Sequence, residues 1–303
     1  MINTLKIHFL NVGNGDSTII ELPDNSLMMV DIMNGRNDGT YNTQFVNPLR
    51  YLEQLPHYGS LHRYIQTHPD MDHMNGLSDL LNQYSVTNFW DTQNRRISPD
   101  VYSFGFREKD WQSYQDARNK SNVKHFMRSL DKIVYNTSQG TTEEYNYNLY
   151  ALSPNEELVN MANENEEWNL LSFIVLLEYE GFKLLLSGDA DDHSWNSLYD
   201  WINADSNAKE LISNVSVFKA AHHGRKSSYC GSELLSIINP GYIVISHDNV
   251  PSDESAKAAY KYFLDKRGKC KIYETVNGTI VADYYDVPGR RYGINQYADN
   301  ISS

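Results

Sequence analysis

The chain has 303 residues, 40% hydrophobic and 12% aromatic, with a formal net charge of −13. That composition is globular rather than disordered, and the length allows one large α/β domain or two smaller ones. No run approaches the roughly 20 apolar residues that span a bilayer, and the acidic surplus disfavours a broad, nonspecific grip on nucleic acid.

The first residues run straight into strand-like alternation, without the charged start, apolar run and cleavage site of a leader, so a cytoplasmic chain with no membrane association is expected. Cys230 and Cys270 lie far apart and are expected to be separate reduced thiols.

In chain order, period-two alternation predicts strands over 6–12, 17–22 and 27–32. The turns between them are Gly13-Asn14-Gly15-Asp16 and Pro23-Asp24-Asn25-Ser26. A helix over 43–55, a strand over 63–67 and a helix over 76–84 follow. Residues 91–148 are polar and Tyr-rich with weaker periodicity, and segments 111–119 and 124–133 read as helices. This stretch is expected to be an insertion, either a lid beside a site or a solvated surface excursion.

Alternation returns in a hairpin over 170–179 and 182–186, turning at Glu180-Gly181. A helix over 192–202, a strand over 215–220, a helix over 232–238, a strand over 242–246 and a helix over 253–266 come next. Strands over 270–274 and 279–284 close the series, and 288–303 read as a loose tail behind a single domain over 1–287. Two β-rich halves with helices predict two sheets packed face to face with helices outside. The polar clusters fall at strand ends, where loops from one rim can share a cleft.

Four potential ligands, His68, Asp70, Asp72 and His73, lie within six residues just after an apolar strand. Imidazole and carboxylate together suit zinc, manganese or iron, and a turn can split them between neighbouring ions. Asp189 ends the run Lys183-Leu184-Leu185-Leu186-Ser187-Gly188, and His222-His223-Gly224 follows another apolar strand. Taken singly, the first cluster also suits a solvated acidic turn and the other two suit ordinary strand-ending turns. Three such clusters at strand ends point to one shared metal site.

These segments, with Phe9-Leu10-Asn11-Val12-Gly13-Asn14-Gly15-Asp16 and Val30-Asp31, resemble the metallo-β-lactamase superfamily. Within it the chain is similar to the soluble hydrolase domain of the bacterial DNA-uptake competence channel, over most of 6–285. The resemblance implies a four-layer αββα sandwich holding one or two divalent transition metals, zinc or manganese. It implies that His68 and Asp70 face one metal, Asp72 and His73 the other, and that Asp189 bridges them. His223 would complete a shell with His222 as the less favoured neighbour, and Asp31 would support the metal loop from behind. Gly13, Gly15 and Asp16 would shape the adjoining loop.

The family's late histidine before a proline is missing from Asn249-Val250-Pro251, and His247 is the candidate replacement. The activity implied is that of a phosphodiesterase or nuclease working through a metal-bound hydroxide, with Asp72, His73 and Asp189 central to catalysis. A small-molecule esterase or lactonase, and a weakened scaffold protein, are the alternatives. Arg95, Arg96, Phe104, Phe106, Arg107 and Trp111 could stack bases and hold phosphates, or form a packed lid with a solvated rim.

Overall fold

In the computed structural model, residues 4–34, 45–55, 59–99, 106–120, 122–133, 147–248, 250–267, 271–287 and 290–297 are described. The first half builds β1 (Thr4–Phe9), β2 (Thr18–Glu21), β3 (Leu27–Val30), α1 (Pro48–Leu52), β4 (Ser60–Ile65), α2 (Leu77–Gln83), β5 (Ser85–Trp90), α3 (Glu108–Arg118) and β6 (Val123–Lys124). The second half continues with β7 (Asn148–Ser153), α4 (Glu156–Asn165), β8 (Ile174–Tyr179), β9 (Phe182–Leu186), α5 (Asp192–Ala204) and α6 (Ser206–Ile212). It ends with β10 (Val217–Lys219), α7 (Ser232–Ile238), β11 (Tyr242–Ile245), α8 (Lys257–Arg267), β12 (Lys271–Glu274), β13 (Thr279–Val287) and β14 (Arg290–Tyr297).

One sheet runs β14-β13-β1-β2-β3-β4-β5-β6 and the other β12-β11-β10-β9-β8-β7. Pairing is antiparallel from β14 to β3 and parallel from β3 to β6. The second sheet is parallel from β12 to β9 and antiparallel beyond.

Side-chain alternation explains the layering. Leu5, Ile7 and Phe9 of β1 meet Val175, Leu177, Leu184 and Val217 in the seam between the sheets. Their neighbours Leu176, Leu185 and Phe218 face the other way, onto Trp195, Leu198, Leu235 and Tyr260 of the outer helices. Across the first sheet, Leu27, Met29 and Tyr64 pack on Leu49, Leu77, Leu80 and Trp111. Each such fully buried side chain contributes about 1.5–3 kcal/mol. The result is helix, sheet, sheet, helix, the four-layer αββα sandwich expected from sequence.

Three expectations need correction. The stretch after Pro288 is not wholly a tail, because residues 290–297 pair with β13 as an edge strand. Tyr292 and Ile294, two apart, pack against the inter-sheet core, the period-two signature of a half-buried strand. Residues 124–133 are not a helix: after β6 the chain runs irregularly to Ile133. Nor is 91–148 a free excursion where it is described. Trp111, Tyr114 and Ala117 of α3 are buried in the outer layer, and β6 extends the first sheet. Residues 100–105 and 134–146, Phe104 among them, lie outside the described residues.

Cys230 is buried and free, and burial pushes its thiol up to about 12; Cys270 lies outside the described residues. Among the described residues no helix is long and apolar enough to cross a membrane.

Candidate metal centre

The first loop of the centre is pinned by the side chains that precede it. The Gln66 amide donates to the His68 and His73 carbonyls at 2.8 and 3.1 Å. Asp31 sits at the end of β3 with φ 56°, a left-handed backbone that aims its carboxylate back under the loop. That carboxylate accepts the Thr67 amide at 2.8 Å, the Thr67 hydroxyl at 2.7 Å and His73 Nδ1 at 2.7 Å.

These bonds assign the tautomers. His73 donates through Nδ1, so its neutral form presents a lone pair at Nε2, where a metal ion would take the place of a proton. The Thr67 proton is committed to Asp31, so the Thr67 oxygen accepts from His68 Nδ1 at 3.0 Å, and His68 Nε2 is likewise an acceptor. His223 donates Nδ1 to the Ser246 carbonyl at 3.0 Å. Hydrogen bonds at the far nitrogen are how proteins orient imidazoles toward a metal.

The other loops come from the second sheet. Gly188 (φ 48°) lets β9 end against Thr67, since a Cβ there would meet the Thr67 Cβ at 3.0 Å. The next residue, Asp189, is fixed by its amide donating to Ser172 Oγ at 3.0 Å. His222, His223 and Gly224 take three successive left-handed conformations, φ 49°, 56° and 74°. A Cβ on Gly224 would lie 2.7 Å from Ile245 Cγ2, so glycine is required for the turn. This strained corner carries both imidazoles to Asp189.

The ligand atoms of Asp72, His73, Asp189 and His223 all lie within 4.8 Å of one another. His73 Nε2 is 3.3 Å from Asp189 Oδ1, and His223 Nε2 is 3.6 Å from Asp72 Oδ2 and 3.8 Å from Asp189 Oδ2. Buried His73 Nε2, His223 Nε2 and Asp189 Oδ1 have no hydrogen-bond partner. Acceptors facing acceptors in a dry site are unfavourable unless a cation lies between them. Two imidazoles and two carboxylates suit a divalent transition ion, so these residues fit the implied metal. The same electrostatics show in the titration. Burial alone would lower the His73 pKa, but Asp189, Asp31 and Asp72 raise it well above the ordinary 6.5. Burial would raise the Asp189 pKa, yet His73 and His223 hold it well below the usual carboxylate range.

The sandwich and the centre bear comparison with known proteins. No family model matches the sequence, and no curated protein does. Among solved structures that match is a mutant of CmlA beta-hydroxylase, aligned over 96% of this chain at 11% identity with a TM-score of 0.51. The fold is of the metallo-β-lactamase type. The chain spans 54% of that larger structure's length, so the likeness concerns the shared fold alone.

The remaining candidates divide. His222 Nε2 lies 3.7 Å from Asp189 Oδ2 at the rim, with Nδ1 beside Ser228 Oγ at 3.2 Å. His68 Nε2 faces Asp70 Oδ2 at 3.4 Å, and Asp70 Oδ1 is bonded to Arg96. His247 is not among the clustered ligand atoms of the described residues. Its Nε2 is paired with Glu274 Oε1 at 2.8 Å, and Glu274 also binds Lys257. In the insertion, Arg107 binds Asp79 and Asp110, and Trp111 is core, so neither is a base-stacking platform.

Two neighbours of the centre were not singled out from sequence. Lys219 of β10 is 3% exposed and pairs with Asp16, whose carboxylate stands with Asp31 and His73 in a second close acidic group. Burial opposes ionisation of Asp16, but Lys219, His223 and His73 hold its pKa below the ordinary value. A lysine inside Val217-Phe218-Lys219-Ala220-Ala221 was itself a signal, since a charge in a buried strand demands an acid. The other neighbour is the Trp168 indole, which lies 5.5 Å beneath the Arg96 guanidinium.

Proposed function

We propose that the chain is a metal-dependent hydrolase acting on a phosphodiester, in a nucleic-acid strand, a nucleotide or a smaller molecule. The observation that carries the reading is the set of buried, unpartnered acceptors on His73, His223 and Asp189, drawn from three distant loops onto one point. A divalent ion there supplies Lewis acidity, ionising water near neutral pH and drawing charge from the anionic transition state.

The chain's own residues do the rest. Asp31 and the Ser246 carbonyl hold His73 and His223 in the tautomer that presents Nε2, so no reorganisation is needed on binding. Asp189 turns Oδ1 to His73 and Oδ2 to His223 and His222, the arrangement of a ligand shared across the centre. Asp72 serves as a ligand; a carboxylate committed to a metal is a poor base. The phosphodiester class follows the sequence resemblance, and Arg96, stacked on Trp168 and bonded to Asp70, adds a fixed positive charge near the centre. The acidic surface, net −13, suits a cut made at this local cation rather than broad DNA binding. The reading includes one hydrolase domain running through β14 and a cytoplasmic setting.

The test is a substrate panel on protein reconstituted with manganese or zinc: bis-p-nitrophenyl phosphate, single-stranded and duplex DNA, cyclic nucleotides and a lactone. Phosphodiester cleavage that disappears with chelator is expected. Full metal occupancy with lactone turnover and no phosphodiester cleavage would replace this substrate class, and occupancy with no turnover at all would favour a scaffold.

A further inference from the structure

The six-residue turn that opens the centre sends its four ligand-type side chains into two different surroundings. Asp72 and His73 join Asp189 and His223; among the described residues, His68 and Asp70 belong to no group of three or more converging ligand atoms. Asp70 is already paired on one side, by Arg96, while His68 Nε2 is buried without a hydrogen-bond partner. One oxygen faces His68 Nε2 at 3.4 Å, and the other accepts from Arg96 Nη1, which also donates to the Pro69 carbonyl at 2.9 Å.

Arg96 is held from several directions. Its guanidinium stacks over Trp168, and its backbone amide donates to Asn94 Oδ1 at 3.3 Å. Asn94 is itself clamped, donating to the Tyr114 hydroxyl at 2.7 Å and accepting from Arg118 at 2.9 Å. One residue earlier, the Arg95 amide donates to Asn163 Oδ1 at 2.6 Å, and Asn163 donates back to the Gln93 carbonyl at 2.9 Å. A loop tied down by α3 and α4 thus fixes a permanent positive charge against one carboxylate of the metal turn.

We propose that Arg96 takes the place of a second cation beside His68 and Asp70, so that the chain holds one divalent ion, at Asp72, His73, Asp189 and His223. The guanidinium needs no loading, neutralises Asp70 and repels another dication at short range. The inference rests on the metal-centre reading above, and counting ions separates its failure from failure of the hydrolase assignment.

The experiment titrates the full chain, stripped with chelator, with manganese(II), using equilibrium dialysis and electron paramagnetic resonance. The wild type should bind one equivalent with the six-line spectrum of an isolated ion. R96M should gain a second equivalent, bound at least about tenfold more tightly than any second ion on the wild type, with a spin-coupled spectrum. Adding D70N to R96M should remove that second equivalent. Should R96M fail to fold, D70N in the wild-type background decides: it should keep the single equivalent within about threefold of wild-type affinity, whereas D72N should not. Two spin-coupled ions on the wild type, one ion only on R96M, or loss of the single ion in D70N would each overturn the proposal. Two ions together with phosphodiester cleavage would overturn it and leave the hydrolase reading standing; no bound ion would overturn both.

Discussion

Two histidine–carboxylate pairs in this protein have nearly the same length and opposite consequences. His73 meets Asp31 at 2.7 Å and His247 meets Glu274 at 2.8 Å. In the first pair the carboxylate takes Nδ1, leaving Nε2 to face Asp189; in the second it takes Nε2, leaving a buried Nδ1 outside every described group of ligand atoms. Both histidines lie near strand ends and both looked like ligands by residue type. Either ring nitrogen can bind a metal, so what separates the two is company: His73 Nε2 converges with Asp72, Asp189 and His223, whereas His247 belongs to no such group among the described residues. Asp31 earns its role by geometry: its left-handed backbone brings it beneath the loop, whereas Glu274 lies at the end of β12 and ties down His247 and Lys257.

The contrast is most easily broken at the centre itself. His73→Ala removes a ligand outright, so metal affinity and phosphodiester turnover should both fall about a thousandfold or more, beyond the 10–100-fold typical of an outer partner. Metal analysis alongside a bis-p-nitrophenyl phosphate assay checks this, and near-normal values in either would remove His73 from the ligand set. The next largest effect is expected at Lys219. Lys219→Met leaves the Asp16 carboxylate buried and unpaired beneath the centre, which should cost about 3–5 kcal/mol of unfolding free energy. Lys219→Met with Asp16→Asn should recover part of that loss in denaturant titrations, and strict additivity would show that the pair does not couple.

How much of this could be read in advance depends on whether the information is local. The ligand turn is legible because His68, Asp70, Asp72 and His73 are neighbours, and most strands of the αββα core announced themselves by alternation. β5 did not, because only Asn88, Phe89 and Trp90 at its end are buried, and α4 did not, because it is polar apart from the residues it packs on Leu170 and Leu171. Arg96 and Asp70 are 26 positions apart, and Lys219 and Asp16 are 203 apart. No periodicity pairs such residues: neighbouring parallel strands β4 and β5 bring the first pair together, and the packing of one sheet on the other brings the second. The Glu274 partner of His247 was hidden likewise, since it comes from a strand whose register is set by the sheet.

Asp31→Asn sharpens the comparison from the supporting side. An asparagine cannot accept from both Thr67 and His73 as the carboxylate does, so the His73 ring loses its fixed tautomer. Metal affinity should drop roughly 10–100-fold while the ion count at saturation stays the same. Calorimetric titration with zinc checks it, and an unchanged affinity would mean that His73 is oriented by packing alone.

The smallest effect belongs to the other pair, and it carries a sign. Hydrogen bonding from His247, then Lys257, outweighs burial and lowers the Glu274 pKa below its ordinary 4.5. A carboxylate with a depressed folded value stabilises the protein above the unfolded value and loses that stabilisation as pH falls through the folded one. Glu274→Gln should therefore cost about 1 kcal/mol near neutral pH, and the gap to wild type should close as the medium is acidified below about 4.5. Metal affinity in Glu274→Gln and His247→Ala should stay within about twofold of wild type, because neither alters a bond to the Asp72, His73, Asp189 and His223 cluster. A loss of zinc in His247→Ala comparable to that in Asp31→Asn would make the two pairs equivalent after all, and membership of that cluster would no longer explain which histidine is a ligand.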